Sequence, residues 1–123
     1  MNNVLIIQGN AQICLRDMID DRSVENIFIF HPDPWLKKKQ HKRRIINPAF
    51  LELAAQKLSP KGKIYITTDV SVLWDDIMDK FSQNSAFKQI EASSFWKNAY
   101  TTHWGKFSIN DNRSSHQAVF QIE

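Results

Sequence analysis

The sequence contains little cysteine and no long hydrophobic run. Its single cysteine, Cys14, excludes an internal disulfide. The four histidines are scattered and have no thiolate partners, so we expect no metal site of the zinc type. This composition fits a reducing compartment, and we expect a cytoplasmic protein. No segment approaches the roughly 20 apolar residues that cross a bilayer, and the amino terminus does not resemble a signal peptide.

Glycine is also scarce, with only Gly9, Gly62 and Gly105 in the chain. None of them belongs to a Gly-rich loop that follows a strand. That loop is the turn that usually holds a nucleotide-like cofactor in a Rossmann-type fold. The sequence therefore lacks the usual means of binding such a cofactor.

Length and composition predict one ordinary globular domain over residues 1–123. A chain of 123 residues can form one core but is too short for two. Its 42% apolar and 24% charged residues are typical of a folded domain rather than a disordered one.

The net charge of +3 is distributed unevenly along the chain. Six cations lie within eight positions: Lys37, Lys38, Lys39, Lys42, Arg43 and Arg44. We call these six residues the basic run. Without them, 10 Lys/Arg remain against 13 Asp/Glu, and the rest of the chain has a net charge of −3. Although a charge run is usually a solvated face, six cations without an interleaved carboxylate favour a polyanionic partner.

Hydrophobic patterning predicts an α/β fold with a mostly parallel sheet. Short apolar runs at 4–7 and 27–30, and a β-branched run at 63–68, are typical of strands buried in parallel sheets. A turn at 59–62 precedes the third run. Asn10, Asn47-Pro48 and Ser71 mark the expected starts of three helices. The runs at 87–90 and 117–122 predict two late strands.

Asp33 and Asp69 each follow a predicted strand. In an open α/β sheet, ligands bind beyond the carboxyl ends of the strands, so we expect both carboxylates to face one crevice. An aspartate in this position is often only a helix cap or turn residue. For Asp33 the flanking Pro32 and Pro34 favour a rigid ligand platform instead. Trp35 is either a packing aromatic or a residue that supports the crevice or stacks on a base.

A longer pattern resembles a known family. Pro32-Asp33-Pro34-Trp35, followed by Lys37 and Lys42-Arg43-Arg44, resembles the signature of the bacterial tRNA (guanine-N7) methyltransferases in order and spacing. Asn47-Pro48-Ala49-Phe50-Leu51 and Thr68-Asp69 resemble the family's next helix and strand end. The resemblance extends from about residue 3 to Asp69 and is weaker beyond it.

The resemblance implies a partial Rossmann-like class I methyltransferase fold that lacks the first two strands and has a late antiparallel strand pair. It implies methyl transfer from S-adenosylmethionine to guanine N7 of tRNA. Asp33 would be catalytic, and Asn10 and Asp33 would contact the cofactor. Lys37, Asp69 and Thr102 would bind the guanine substrate. The tRNA phosphates would contact Lys38, Lys39, Lys42, Arg43 and Arg44.

Two departures from the family leave the activity open. Asn10 replaces an aspartate that contacts the cofactor, and Gly105 replaces the glutamate of a Thr-x-x-Glu motif whose threonine is Thr102. The family also has two further strands, with the cofactor loop, before the point that corresponds to Met1. We therefore expect either a truncated or divergent methyltransferase that is inactive alone, or a non-catalytic RNA-binding module from the same family.

The missing strands have a structural consequence. In the family's sheet they lie beside the strand at 27–30, which would otherwise expose an apolar edge. Three arrangements would cover this edge: the run at 4–7 moves over, two chains pair as a homodimer, or a separate chain completes the sheet.

Overall fold

The computed structural model describes residues 4, 6–99 and 116–123. Four helices, four strands and one 3₁₀ helix lie in these ranges. In chain order they are α1 (Ala11–Met18), β1 (Val24–Phe30), a 3₁₀ helix (Lys38–Arg43), α2 (Pro48–Lys57), β2 (Leu58–Thr68), α3 (Ser71–Ser82), β3 (Phe87–Ile90), α4 (Ser93–Ala99) and β4 (His116–Ile122). None of these described helices is long and apolar enough to cross a membrane.

The four strands form one mixed sheet in the order β1-β2-β4-β3. β1 and β2 are parallel, whereas β4 pairs antiparallel with both β2 and β3. This confirms the predicted α/β fold and its late antiparallel pair, β3 and β4. The parallel part is a single pair of strands, because β4 lies between β2 and β3.

The prediction of a strand at 4–7 is wrong. The described residues of this run belong to no strand, and Ile6 is 90% exposed. A short apolar run becomes a strand only when a sheet offers it a hydrogen-bonding neighbour. Here β1 ends the described sheet, and no described residue of the run pairs with it.

The three predicted helix starts are confirmed, and the signals that predict them are local in sequence. The Asn10 side-chain oxygen accepts a hydrogen bond from the Ile13 N–H at 3.1 Å, which caps α1. Asn47 caps α2 in the same way through the Phe50 N–H at 2.9 Å, and Pro48 occupies the first turn. Ser71 is the first residue of α3, which begins without a side-chain cap.

The predicted turn at 59–62 is an irregularity inside β2. Val24 pairs with Leu58 and Asn26 with Lys63, so β2 has extra residues between these two positions. Gly62 is needed there, since a Cβ atom would lie 2.9 Å from the Ser59 carbonyl oxygen.

An apolar core joins the sheet to α2 and α3. Ile64 and Ile66 of β2, Leu51 of α2 and Ile77 of α3 are all fully buried in it. Because side chains alternate along a strand, Tyr65 belongs to the opposite face. There it forms an aromatic layer with Phe28, Phe30, Phe95 and Trp96. The sheet is thus packed on both faces and holds the carboxyl ends of β1 and β2 in place.

Candidate guanine and RNA site

The two predicted site carboxylates lie at the same end of the parallel strand pair. Phe30 is in register with Thr67, and the His31 N–H donates to the Thr67 carbonyl oxygen at 2.8 Å. Asp33 and Asp69 therefore follow neighbouring strand ends, and both line one cavity of about 310 Å³. We call it the carboxylate cleft; its lining residues are His31, Pro32, Asp33, Pro34, Thr68, Asp69 and Val70. The expectation that both carboxylates face one crevice is confirmed.

The loop that carries Asp33 has an unusual backbone. His31 and Trp35, on either side of Pro32-Asp33-Pro34, have φ values of 51° and 43°. Such left-handed conformations cost non-glycine residues about 1–3 kcal/mol each and persist only where the surroundings enforce them. The sequence indicated a rigid loop through its two prolines, but it gave no signal for these left-handed residues.

Most of the basic run is an exposed surface beside this loop. Residues 38–43 form the 3₁₀ helix, and the Lys37 N–H donates to the Gln40 side-chain oxygen at 3.3 Å just before it. The Arg43 guanidinium carbon lies 5.3 Å from the centroid of the Trp35 ring. Five cations are exposed, and we call them the outer basic surface: Lys37, Lys38, Lys39, Lys42 and Arg43.

Arg44, the sixth cation of the run, is buried, with a relative exposure of 3%. Its Nε donates to the Pro34 carbonyl oxygen at 2.8 Å, and its Nη1 lies 3.2 Å from Asp76 Oδ2 in α3. The sequence predicted a phosphate contact for this residue together with its neighbours. In the structure its guanidinium instead bonds to the protein.

The Asp76 carboxylate is held in its charged form by two cations. Partial burial opposes ionisation, but hydrogen bonds from Lys80 and Arg44 leave the pKa of Asp76 below its ordinary value. The Lys80 Nζ lies 2.7 Å from Asp76 Oδ1. Arg44, Asp76 and Lys80 therefore form a network of two basic side chains around one carboxylate.

Asn10 and Asp33, the two expected cofactor residues, line different cavities. Asn10 lies in a second cavity of about 440 Å³, together with Trp35, Lys42 and Arg43. Its side-chain oxygen already accepts the capping hydrogen bond of α1. Trp35 lines this second cavity and is not among the residues that line the crevice of Asp33 and Asp69, so its role there stays a prediction. Thr102, expected to bind the substrate, lies outside the described residues.

His116 is a residue near the cleft that sequence analysis missed. Its Nε2 lies 3.2 Å from Ser71 Oγ, and its ring stacks on Trp74 with centroids 5.5 Å apart. No local signal could identify it, because β4 reaches α3 from 45 positions away in sequence. Within the described ranges, no group of three or more His, Cys, Asp or Glu residues could hold a metal ion.

Comparison with known proteins identifies a family. A family model described as "Putative methyltransferase" matches residues 1–120. Curated relatives named tRNA (guanine-N(7)-)-methyltransferase include those of Aromatoleum aromaticum, 46% identical over 56% of this chain, and Nitrosococcus oceani, 36% identical over 73%. The relative from Prochlorococcus marinus is 32% identical over 99% of this chain. The matches span 27%, 38% and 58% of those relatives' own lengths.

A solved structure supports the fold. The aminoglycoside resistance methyltransferase NpmB1 matches with a TM-score of 0.53 and 13% identity, over 84% of this chain and 54% of that one. At this identity the likeness shows the fold alone, a partial Rossmann-like methyltransferase fold. The match of the family model over residues 1–120 shows that the chain belongs to this methyltransferase family, as its resemblance to the bacterial tRNA (guanine-N7) methyltransferases indicated.

Proposed function

We propose that this chain is a tRNA (guanine-N7) methyltransferase-like protein, a single domain that forms the carboxyl-terminal portion of the methyltransferase fold. In this proposal the chain binds the guanine and the RNA backbone rather than the methyl donor. One observation carries the proposal: Asp33 and Asp69 share a cleft whose loop adjoins five exposed cations. An exposed cationic surface and two carboxylates in one cleft are the two elements needed to hold RNA and orient one base.

The cleft carboxylates suit guanine. N7 of guanine carries a lone pair and no proton, so its methylation requires no general base. The requirement is orientation, and carboxylates can accept hydrogen bonds from the guanine N1–H and exocyclic amine. We assign Asp33 the catalytic role of orienting the ring and offsetting the positive charge that develops on it. Asp69 and Lys37 would bind the same nucleotide.

The outer basic surface would bind the tRNA backbone. Lys38, Lys39, Lys42 and Arg43 are exposed on and around a short 3₁₀ helix, where phosphate oxygens can approach them. Phosphate contacts of this kind fix the register of the RNA without reading its sequence. The cleft would then supply the base selectivity. A tRNA substrate would also place the protein in the cytoplasm.

The two residues expected to hold S-adenosylmethionine do not share a cavity in the described part of the chain. Asn10 and Asp33 line separate cavities, and the Asn10 oxygen is engaged in capping α1. Bound S-adenosylmethionine would supply the methyl group. We therefore expect little or no methyl transfer by this chain alone.

A methyl-transfer assay with tRNA and S-adenosylmethionine tests this expectation. Asp33→Asn is the matched variant, since it keeps the side-chain shape and removes the charge. Robust turnover by the chain alone would overturn the claim that its cofactor site is incomplete. Loss of that turnover in Asp33→Asn would support the methyltransferase assignment. Equal turnover by Asp33→Asn would overturn the role of Asp33.

A second function is a non-catalytic RNA-binding module. The position of Asn10 favours it, because this expected cofactor residue lines a different cavity from Asp33 and caps α1. Calorimetry separates the two functions. A binding module should bind tRNA and show no heat with S-adenosylmethionine, whereas a methyltransferase should bind both.

Within the described residues β1 has a strand neighbour on one side only, and its other edge is a candidate partner surface. Phe28 is 52% exposed, and an apolar groove of about 350 Å³ lies along Ile27, Ile29 and Leu15. Unpaired strand edges of this kind promote association. We propose that a second copy of the chain or a separate polypeptide extends the sheet there. Solution mass measurements should show a species larger than 14.4 kDa, or a shift when the partner polypeptide is added.

A further inference from the structure

Arg44 contacts both segments that carry the cleft carboxylates. It donates from Nε to the carbonyl oxygen of Pro34, the residue after Asp33. Its Nη1 pairs with Asp76 in α3, a helix whose first residue follows Asp69 by two positions. One guanidinium therefore connects the loop after β1 to the helix after β2.

We propose that Arg44 is a positioning residue that fixes Asp33 relative to Asp69, so that both carboxylates can engage one guanine. This inference rests on the proposed function. It takes Arg44 out of the phosphate-binding set, because its side chain is buried and bonded on the protein side. Its influence on RNA then acts through Asp33 and Asp69.

The geometry of the arginine supports this role over a purely stabilising one. Nη2 of Arg44 is buried and has no hydrogen-bond partner among the residues that the structure describes, which costs stability that an apolar side chain would not lose. A guanidinium does provide two donors in one fixed plane, as required to bond a carbonyl and a carboxylate from different segments. Lysine cannot reproduce that geometry, because its donors share a single nitrogen.

The most informative variant is Asp76→Asn. If Arg44 bound phosphate, Asp76→Asn would free the guanidinium and leave RNA binding unchanged or stronger. If Arg44 positions the loop, Asp76→Asn and Arg44→Lys should both shift Asp33 relative to Asp69 and lower the preference for guanosine. Lys80→Met is the matched control, since it removes the other cation that bonds Asp76 and leaves Arg44 in place.

The experiment measures two properties of the full chain and of four variants: Arg44→Lys, Arg44→Ala, Asp76→Asn and Lys80→Met. NMR records the backbone amide shifts of Asp33 and Asp69 without any ligand. Binding assays record the preference for a single-stranded RNA with one guanosine over the same RNA with inosine, which lacks the exocyclic amine. Arg44→Lys and Asp76→Asn should shift both amides and lower the preference roughly tenfold, with an unchanged salt dependence. Lys80→Met should leave the amide shifts and the preference near wild type.

Either of two results would overturn the proposal. One is that the amides of Asp33 and Asp69 do not move in Arg44→Lys and Asp76→Asn. The other is that Arg44→Ala, which removes the charge that Arg44→Lys keeps, reduces the salt dependence as the loss of an exposed phosphate contact would. If the wild-type chain binds no RNA, the proposed function fails while the NMR comparison still decides the role of Arg44.

Discussion

The carboxylate cleft and the outer basic surface are neighbours built in different ways. The cleft loop is fixed by two prolines, two left-handed residues and the bonds to Thr67 and Arg44. The outer basic surface consists of exposed side chains on a 3₁₀ helix, which is a weakly hydrogen-bonded element. The difference indicates two separate roles. The cleft fixes the positions of its carboxylates, and the surface provides exposed positive charge. Variants of the cleft should change selectivity, whereas variants of the surface should change salt dependence.

The largest effect should come from removing charge on the surface. A triple variant, Lys39→Ala with Lys42→Ala and Arg43→Ala, would lose three phosphate contacts. The slope of log K against log salt should then fall by about 2.7, and affinity at 0.1 M salt should drop roughly 500-fold. Salt titrations of tRNA binding measure both values. The triple variant Lys61→Ala, Lys63→Ala, Lys88→Ala removes equal charge elsewhere, so an equal slope change in it would place the interface outside the basic run.

The next effect should come from the cleft. Asp33→Asn removes an acceptor for the guanine donors, and hydrogen bonds to charged groups contribute about 1.5–3 kcal/mol. The preference for guanosine over inosine RNA should therefore fall by roughly tenfold or more, at an unchanged salt slope. Asp75→Asn on the exposed side of α3 is the charge-matched control. An undiminished preference in Asp33→Asn would remove Asp33 from guanine recognition.

Sequence reasoning succeeded where the signal was local. Asn47-Pro48 defines a helix start within four residues, and the strand ends that carry Asp33 and Asp69 follow from apolar runs. It failed where the outcome depended on a distant partner. The run at 4–7 has strand composition but no strand beside it in the described part of the chain. Arg44 has the same sequence context as Arg43, and its bonds to Pro34 and to Asp76, 32 positions later, distinguish the buried arginine from the exposed one.

A smaller effect concerns the pH dependence of stability at Asp76, whose carboxylate pairs with Arg44. Because the pKa of Asp76 is lowered in the folded state, its ionised form contributes stability that is present above its unfolded pKa. That contribution is lost as the pH falls through the folded pKa. Thermal melts from neutral to acidic pH should therefore show wild type losing more stability than Asp76→Asn. Parallel curves for the two proteins would mean that Asp76 contributes nothing to the acid sensitivity.

The smallest effect concerns the contact between the two regions at Trp35. The Arg43 guanidinium lies over the Trp35 ring, and an exposed cation–π pair contributes about 0.5–1 kcal/mol. Trp35→Leu should lower the free energy of unfolding by about this amount, while Trp35→Phe should retain part of it. A double-mutant cycle with Arg43→Ala isolates the pair, because the coupling term excludes what each side chain does separately.

Since Arg43 also contributes charge, its single variant should change the salt slope of RNA binding whereas Trp35→Leu should not. A coupling near zero would mean that the two regions act independently at this point, and that only Arg44 connects the basic run to the cleft.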